Sequence, residues 1–159
     1  MTRTATITCS SVAETEQLAG SLASFAEPGQ LVVLAGGLGA GKTTFVKAYA
    51  AALGVTAPVT SPTFTLVHLY GCAPGGAVET LVHADLWRLR NAAEVEDLGL
   101  GELLADGAVA LVEWGDRFVL CADPVVVRFA VLSESARKLT VDLGDSGLPD
   151  EVLEGIGAR

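Results

Sequence analysis

The hydrophobic rhythm of the chain changes several times, and each change predicts an element. Thr4–Cys9 alternates β-branched residues with the period of a short strand. From Ser10 to Glu27 the apolar positions Val12, Leu18, Leu22 and Phe25 share roughly one helical face, and Ser10 or Ser11 is placed to cap it. Pro28-Gly29 breaks that helix. Leu31–Gly36, "LVVLAG", is an unbroken apolar run, as a strand buried in a parallel sheet should be. A second helix is expected from Lys42 to Leu53, ended by Gly54. Thr63–Tyr70 and Ala77–Asp85 read as strands on either side of the turn "GCAPGG", and so as a hairpin.

The second half continues the alternation. Asn91–Asp106 has helical spacing weakened by glycines, and Ala108–Trp114 is a second buried strand. Two further runs, 124–132 and 137–143, predict a closing pair of strands. The tail after Leu143 is acidic and glycine-rich, and both a frayed end and a short terminal helix remain open for it. Strands alternating with helices predict an α/β fold with a mainly parallel central sheet and some antiparallel strands. The expected organisation is one domain over residues 1–143 and a tail, possible site of flexibility, over 144–159.

Composition narrows this picture. The 159 residues suit one domain with a sizeable core, and 50% apolar with 18% charged residues is globular usage. A net charge of −9 argues against a protein that grips nucleic acid by itself, because displacing counterions from phosphates takes Lys and Arg. It leaves room for one basic face, or for work on RNA through a partner. Cys9, Cys72 and Cys121 are far apart and form no CxxC pair, so reduced thiols are expected. No apolar run reaches membrane-spanning length and the N-terminus has no apolar signal core, so a cytoplasmic protein with no membrane role is expected.

The candidate chemistry begins in "GGLGAGKT", which fits G-x-x-x-x-G-K-[ST] with Gly36, Gly41, Lys42 and Thr43 in place. Glycines let the backbone curl so that successive N–H groups point at a phosphate. The helix that starts at Lys42 adds free N–H groups and the positive end of its dipole. Lys42 can reach the β- and γ-phosphates, the Thr43 hydroxyl can ligate Mg²⁺, and Thr44 falls near the α-phosphate. The motif lies between a buried strand and a helix start, which is the context it requires.

Hydrolysis or transfer also needs metal ligands and a group that positions the attacker. Asp85 after "LVHA" and Glu113 after "VALV" are acids at strand ends, where ligands bind in parallel sheets. Either can hold Mg²⁺, directly or through water, and Glu113 can orient a water. In "TSPTFT", Ser61, Thr63 and Thr65 offer hydroxyls able to sense a γ-phosphate, although a loop satisfying its own backbone explains them equally well. Trp114 stands at the rim of the expected site and Trp87 follows Asp85 similarly, but core packing is the plainer role for both. His68 and His83 lack metal partners and read as half-buried strand residues. No guanine-recognition motif, D-x-x-G switch or arginine cluster points to a GTPase or a small-molecule kinase.

"GGLGAGKTTF", "SPTFTLVHLY", "HADLWRL", "EVEDLGLGELL" and "VALVEWGDR", in this order and spacing, resemble the bacterial TsaE (YjeE) family over about residues 10 to 142. The resemblance implies a P-loop NTPase-like three-layer fold and an ATPase subunit of the machinery that makes threonylcarbamoyladenosine in tRNA. In that family the protein works with TsaD and TsaB, and tRNA is reached through the complex. Binding or hydrolysis of ATP is thought to reset the complex between turnovers. Carried over by motif, Gly36, Gly37, Leu38, Gly39, Ala40, Gly41 and Lys42 hold the phosphates of ATP, and Thr43 and Glu113 serve Mg²⁺. The resemblance makes Asp85 a functional acid near the metal, puts Ser61 and Thr63 in a switch-like loop, and sets Trp114 at the border of the site. Looser similarity places Thr15 and Arg137 beside the adenine. The family commonly has an acid after the first loop glycine, where this chain has Gly37. Two other readings stay open beside a partner-dependent ATPase: a nucleotide-sensing binding module without required hydrolysis, and a small-molecule kinase.

Overall fold

A computed structural model describes residues 3–62 and 65–157. Its strands are β1 (Thr4–Cys9), β2 (Leu31–Ala35), β3 (Val67–Gly71), β4 (Thr80–Asp85), β5 (Val109–Glu113), β6 (Val125–Val131) and β7 (Arg137–Asp142). Its helices are α1 (Val12–Ala23), α2 (Lys42–Ala52), α3 (Ala92–Glu96), α4 (Leu100–Ala105) and α5 (Glu151–Gly157). The sheet order is β1-β7-β6-β2-β5-β4-β3. β6, β2, β5 and β4 run parallel, and they carry antiparallel flanks: β3 on β4 at one side, β7 and β1 beyond β6 at the other.

The apolar runs of the sequence become the middle of the sheet. All five residues of β2 and all five of β5 are buried. On one face Val32, Leu34, Val109 and Leu111 pack with α1, α2 and α5 through Leu18, Leu22, Phe45, Tyr49, Val152 and Ile156. On the other, Leu31, Val33, Val82 and Val112 pack with α3 and α4 through Val95, Leu100 and Leu104. This is a three-layer α/β arrangement with a mainly parallel sheet, as expected.

Several boundaries moved. Of the two candidate caps for α1, Ser11 does the work: its Oγ accepts from Glu14 N–H at 3.2 Å, while the Glu14 carboxylate accepts from Ser10 N–H at 2.6 Å. The helical stretch 91–106 is two short helices, because Gly99 takes a left-handed φ of 73° between them. The strand expected from Thr63 starts at Val67. Of the two forms open for the tail, a helix forms. α5 buries Val152 and Ile156, and Leu143 and Leu148 are buried just before it. Arg3 holds this end with its guanidinium, donating to Asp150 Oδ1 at 2.7 Å, to Gly144 O at 2.8 Å and to Leu148 O. No disulfide joins the three cysteines; Cys9 is buried and Cys121 exposed.

Candidate functional site

The carboxyl ends of β2, β4 and β5 converge on one cavity of about 360 Å³. Leu38, Gly39, Ala40, Gly41, Lys42, Thr43 and Thr44 form its floor. Asp85, Glu113 and Trp114 line it too, and Val12, Thr15, Ser135 and Arg137 close the other side. The loop geometry follows from its glycines. Gly41 precedes α2 at φ 103°, a left-handed conformation that a side chain resists. At Gly36 a Cβ would lie 3.0 Å from Phe129 Cβ and 3.1 Å from Phe129 O, so β6 leaves room only for glycine. Gly37 differs: a Cβ there meets nothing within 4 Å. Space for the first atom of a side chain is therefore open at this position.

Lys42 is a buried cation folded over its own loop. Its ammonium donates to Gly36 O and, at 3.2 Å, to Gly37 O, and lies 3.7 Å from the centre of the Trp114 ring. Burial pushes its pKa below the ordinary value, while the carboxylates of Glu113, Asp85 and Asp116 pull it back up. Asp85 shows the converse. Burial raises its pKa, opposed by the Trp87 N–H that donates to Oδ1 at 2.9 Å, with Glu113 adding to the rise.

Thr43 and Glu113 meet, although 70 positions separate them. The Thr43 hydroxyl donates toward Glu113 Oε1 at 3.3 Å and Oε2 at 3.4 Å. Parallel pairing of β4 with β5 sets Asp85 level with Glu113. Two carboxylates and a hydroxyl thus share one cavity wall. This hard-oxygen donor set fits Mg²⁺, which takes one or two carboxylates and fills the rest of its shell with water and phosphate oxygens. Among the described residues no group of three or more His, Cys, Asp or Glu side chains gathers for a metal.

Trp114 has a left-handed φ of 63°, a costly conformation for a bulky residue. It turns the chain sharply at the end of β5 and lays the indole across Lys42. Trp114 thus borders the cavity while also packing against the core on the α3–α4 face, whereas the core packing expected for Trp87 is not found. Trp87 is 47% exposed and its ring centre lies 4.4 Å from that of Trp114. Arg117 fixes the Trp87 segment by donating to Trp87 O at 2.7 Å and Leu89 O at 3.3 Å.

His83 corrects a second expectation. It is fully buried rather than half-buried, and its Nε2 lies 2.6 Å from Glu113 Oε2. Strand alternation puts His83 on the same face as Asp85, but only the pairing of β4 with β5 brings Glu113 to that face. Thr15 lines the cavity, with its buried Oγ1 lacking any partner among the described residues. Arg137 lines it as well, but its guanidinium is committed to backbone, donating to Ala40 O of the phosphate loop at 2.9 Å and to Ser133 O of the β6–β7 turn at 2.8 Å. Ser61 is exposed and absent from the cavity lining. Thr63 lies outside the described residues.

The family model for threonylcarbamoyl adenosine biosynthesis protein TsaE matches residues 9–139. The chain belongs to the TsaE family. TsaE relatives bearing the name tRNA threonylcarbamoyladenosine biosynthesis protein TsaE occur across distant bacteria. The Streptomyces coelicolor protein is 36% identical over 90% of this chain and 91% of its own length. The Treponema pallidum protein is 40% identical over 72% of this chain and 83% of its own. The Bacillus subtilis protein is 46% identical over 64% of this chain, a match spanning 60% of that protein's length. The crystal structure of Bacillus subtilis YdiB superposes with a TM-score of 0.77 at 29% identity, covering 98% of this chain and 95% of that one. The strand-to-loop-to-helix frame of the TsaE cavity is therefore shared with a solved structure.

Proposed function

We propose that this TsaE chain binds ATP with Mg²⁺ and hydrolyses it weakly alone. In this reading it acts with TsaD and TsaB in threonylcarbamoyl transfer to the tRNA adenosine next to the anticodon. The observation that carries the nucleotide half is the contact between the Thr43 hydroxyl and Glu113 at 3.3 Å, which joins a phosphate loop to a strand-end acid inside one cavity. The pathway half rests on the names of its relatives.

Each residue then has a physical task. The loop N–H groups and the first turn of α2 lack helical acceptors and face anionic oxygens. Lys42 exchanges its loop carbonyls for phosphate oxygens and neutralises charge between them. Thr43, with Asp85 or Glu113, holds Mg²⁺ directly or through water. Mg²⁺ supplies charge stabilisation on the phosphates. Glu113 orients the attacking water and accepts from it. Trp114 covers Lys42 and keeps bulk water from the loop. Ser61 and Thr63 belong to the switch-like segment, and Thr15 and Arg137 to the adenine end. The net charge of −9 suits a subunit that meets tRNA through protein partners, and a cytoplasmic setting goes with that role.

ADP release and tRNA modification measured together, with and without TsaD and TsaB, test the reading. The expected result is slow hydrolysis alone, faster hydrolysis with the partners, and loss of both readouts on Lys42→Ala. Sustained modification by Glu113→Gln over many turnovers would instead support a nucleotide-sensing binding module. ADP release triggered by a metabolite would identify a kinase.

A further inference from the structure

We propose that His83 is a positioning residue for the site: its Nε2–H fixes Glu113 Oε2 and leaves Oε1 as the oxygen offered to Thr43 and the metal. The inference rests on the reading of Glu113 as the acid that serves Mg²⁺ and the attacking water.

Register places the pair. His83 on β4 is level with Leu111 on β5, and Asp85 is level with Glu113, so His83 reaches Glu113 diagonally along one face. Both are closed off from solvent, His83 completely and Glu113 at 4% exposure. A carboxylate at the end of a flexible side chain has several orientations available. The two Thr43 contacts, 3.3 and 3.4 Å, are long and nearly equal, so they do not discriminate between the carboxylate oxygens. The His83 bond, at 2.6 Å and to Oε2, does.

Packing does not account for the imidazole. Leu81, Ala84 and Leu111 beside it are apolar and fully buried, and His68, its partner on β3, turns its Nδ1 to Thr60 O and Tyr70 Oη instead. The Nδ1 of His83 has no partner among the described residues. A half-satisfied buried ring is a poorer core residue than leucine. The one polar contact it gains is the one that orients Glu113.

The test measures two things in His83→Leu and His83→Gln beside the wild type and Glu113→Gln. The first is the Mg²⁺ concentration needed to tighten ADP binding, read by tryptophan fluorescence without turnover. The second is kcat and KM for ATP in the presence of the partner proteins. His83→Leu is expected to raise the Mg²⁺ requirement and lower kcat, each by about 10–100-fold, as loss of a residue supporting a ligand does. Metal-free ADP affinity and KM stay within about threefold. His83→Gln, which can present an amide N–H near the Nε2 position, recovers most of both losses. A purely structural histidine would lower only the melting temperature, and unchanged Mg²⁺ requirement and kcat per binding-competent site in His83→Leu would overturn the proposal. So would His83→Gln as impaired as His83→Leu. If His83→Leu does not fold, His83→Asn, whose amide reaches the Nδ1 position instead, gives the same contrast with His83→Gln. Glu113→Gln separates the two levels. If it matches wild type in both readouts, the role given to Glu113 fails and this inference with it. If it is impaired while His83→Leu is normal, only the inference fails.

Discussion

The phosphate loop and the start of α2 line the cavity with seven consecutive residues, Leu38–Thr44. The wall opposite presents side chains, Asp85, Glu113 and Trp114, drawn from the ends of two strands, with His83 behind Glu113 in the core. The loop needs only local conformation: glycines where β6 crowds it or φ is positive, and a helix to follow. The wall needs the sheet to form first, because it depends on β4 lying parallel to β5 in one register. A grip can therefore be encoded in a motif, whereas the apparatus that would use the gripped ligand is encoded in tertiary structure. The two meet at Thr43, whose hydroxyl touches Glu113, and at Lys42, whose ammonium sits on Trp114.

Breaking each side should give different losses. The largest is expected from Lys42→Ala, which removes the cation of the loop. Lost charge-assisted bonds worth roughly 2–4 kcal/mol correspond to about a 30- to 700-fold fall in ATP and ADP affinity, measurable by calorimetry. Glu113→Gln breaks the wall alone: turnover should fall about 100-fold with metal-free ADP affinity within about threefold, read by single-turnover assay and fluorescence titration. Equal loss of affinity in the two variants would erase the distinction.

Smaller effects sharpen it within each side. Gly36→Ala, which must push on Phe129, should cost about 1–3 kcal/mol in denaturant unfolding. Gly37→Ala, with open space around it, should stay within about 0.5 kcal/mol. The smallest effect concerns Asp85 and pH. Its folded-state pKa is raised by burial, so its charge destabilises the empty fold once pH rises through that value, and not below the unfolded value. Asp85→Asn should therefore raise the melting temperature of the empty protein near neutral pH while weakening its response to Mg²⁺. The stability difference should shrink as pH is lowered toward the ordinary Asp range, and a gap that stays constant would remove Asp85 from the account.

The same contrast explains what could be read from the chain. The phosphate loop was legible to the residue, since its chemistry lies within "GGLGAGKT". β2 and β5 were legible because burial on both faces writes an unbroken apolar run. His83 was not, because its partner is 30 positions away and only strand pairing brings them to 2.6 Å. The surface position of Trp87 was missed for a similar reason: it depends on Arg117 holding the Leu86–Leu89 segment and on the left-handed turn at Trp114. In the tail, Leu148, Val152 and Ile156 recur at helical spacing, but the glycines around them masked the pattern until α1 and Arg3 supplied a docking surface.

The central claim is that the loop holds ATP and the Glu113 wall spends it. Its most direct test is the single-turnover release of phosphate from ATP already bound, with TsaD and TsaB present, in wild type and Glu113→Gln at equal occupancy. The account predicts that both proteins hold ATP and that only the wild type releases phosphate on the time scale of tRNA modification. Equal release from the two would contradict it.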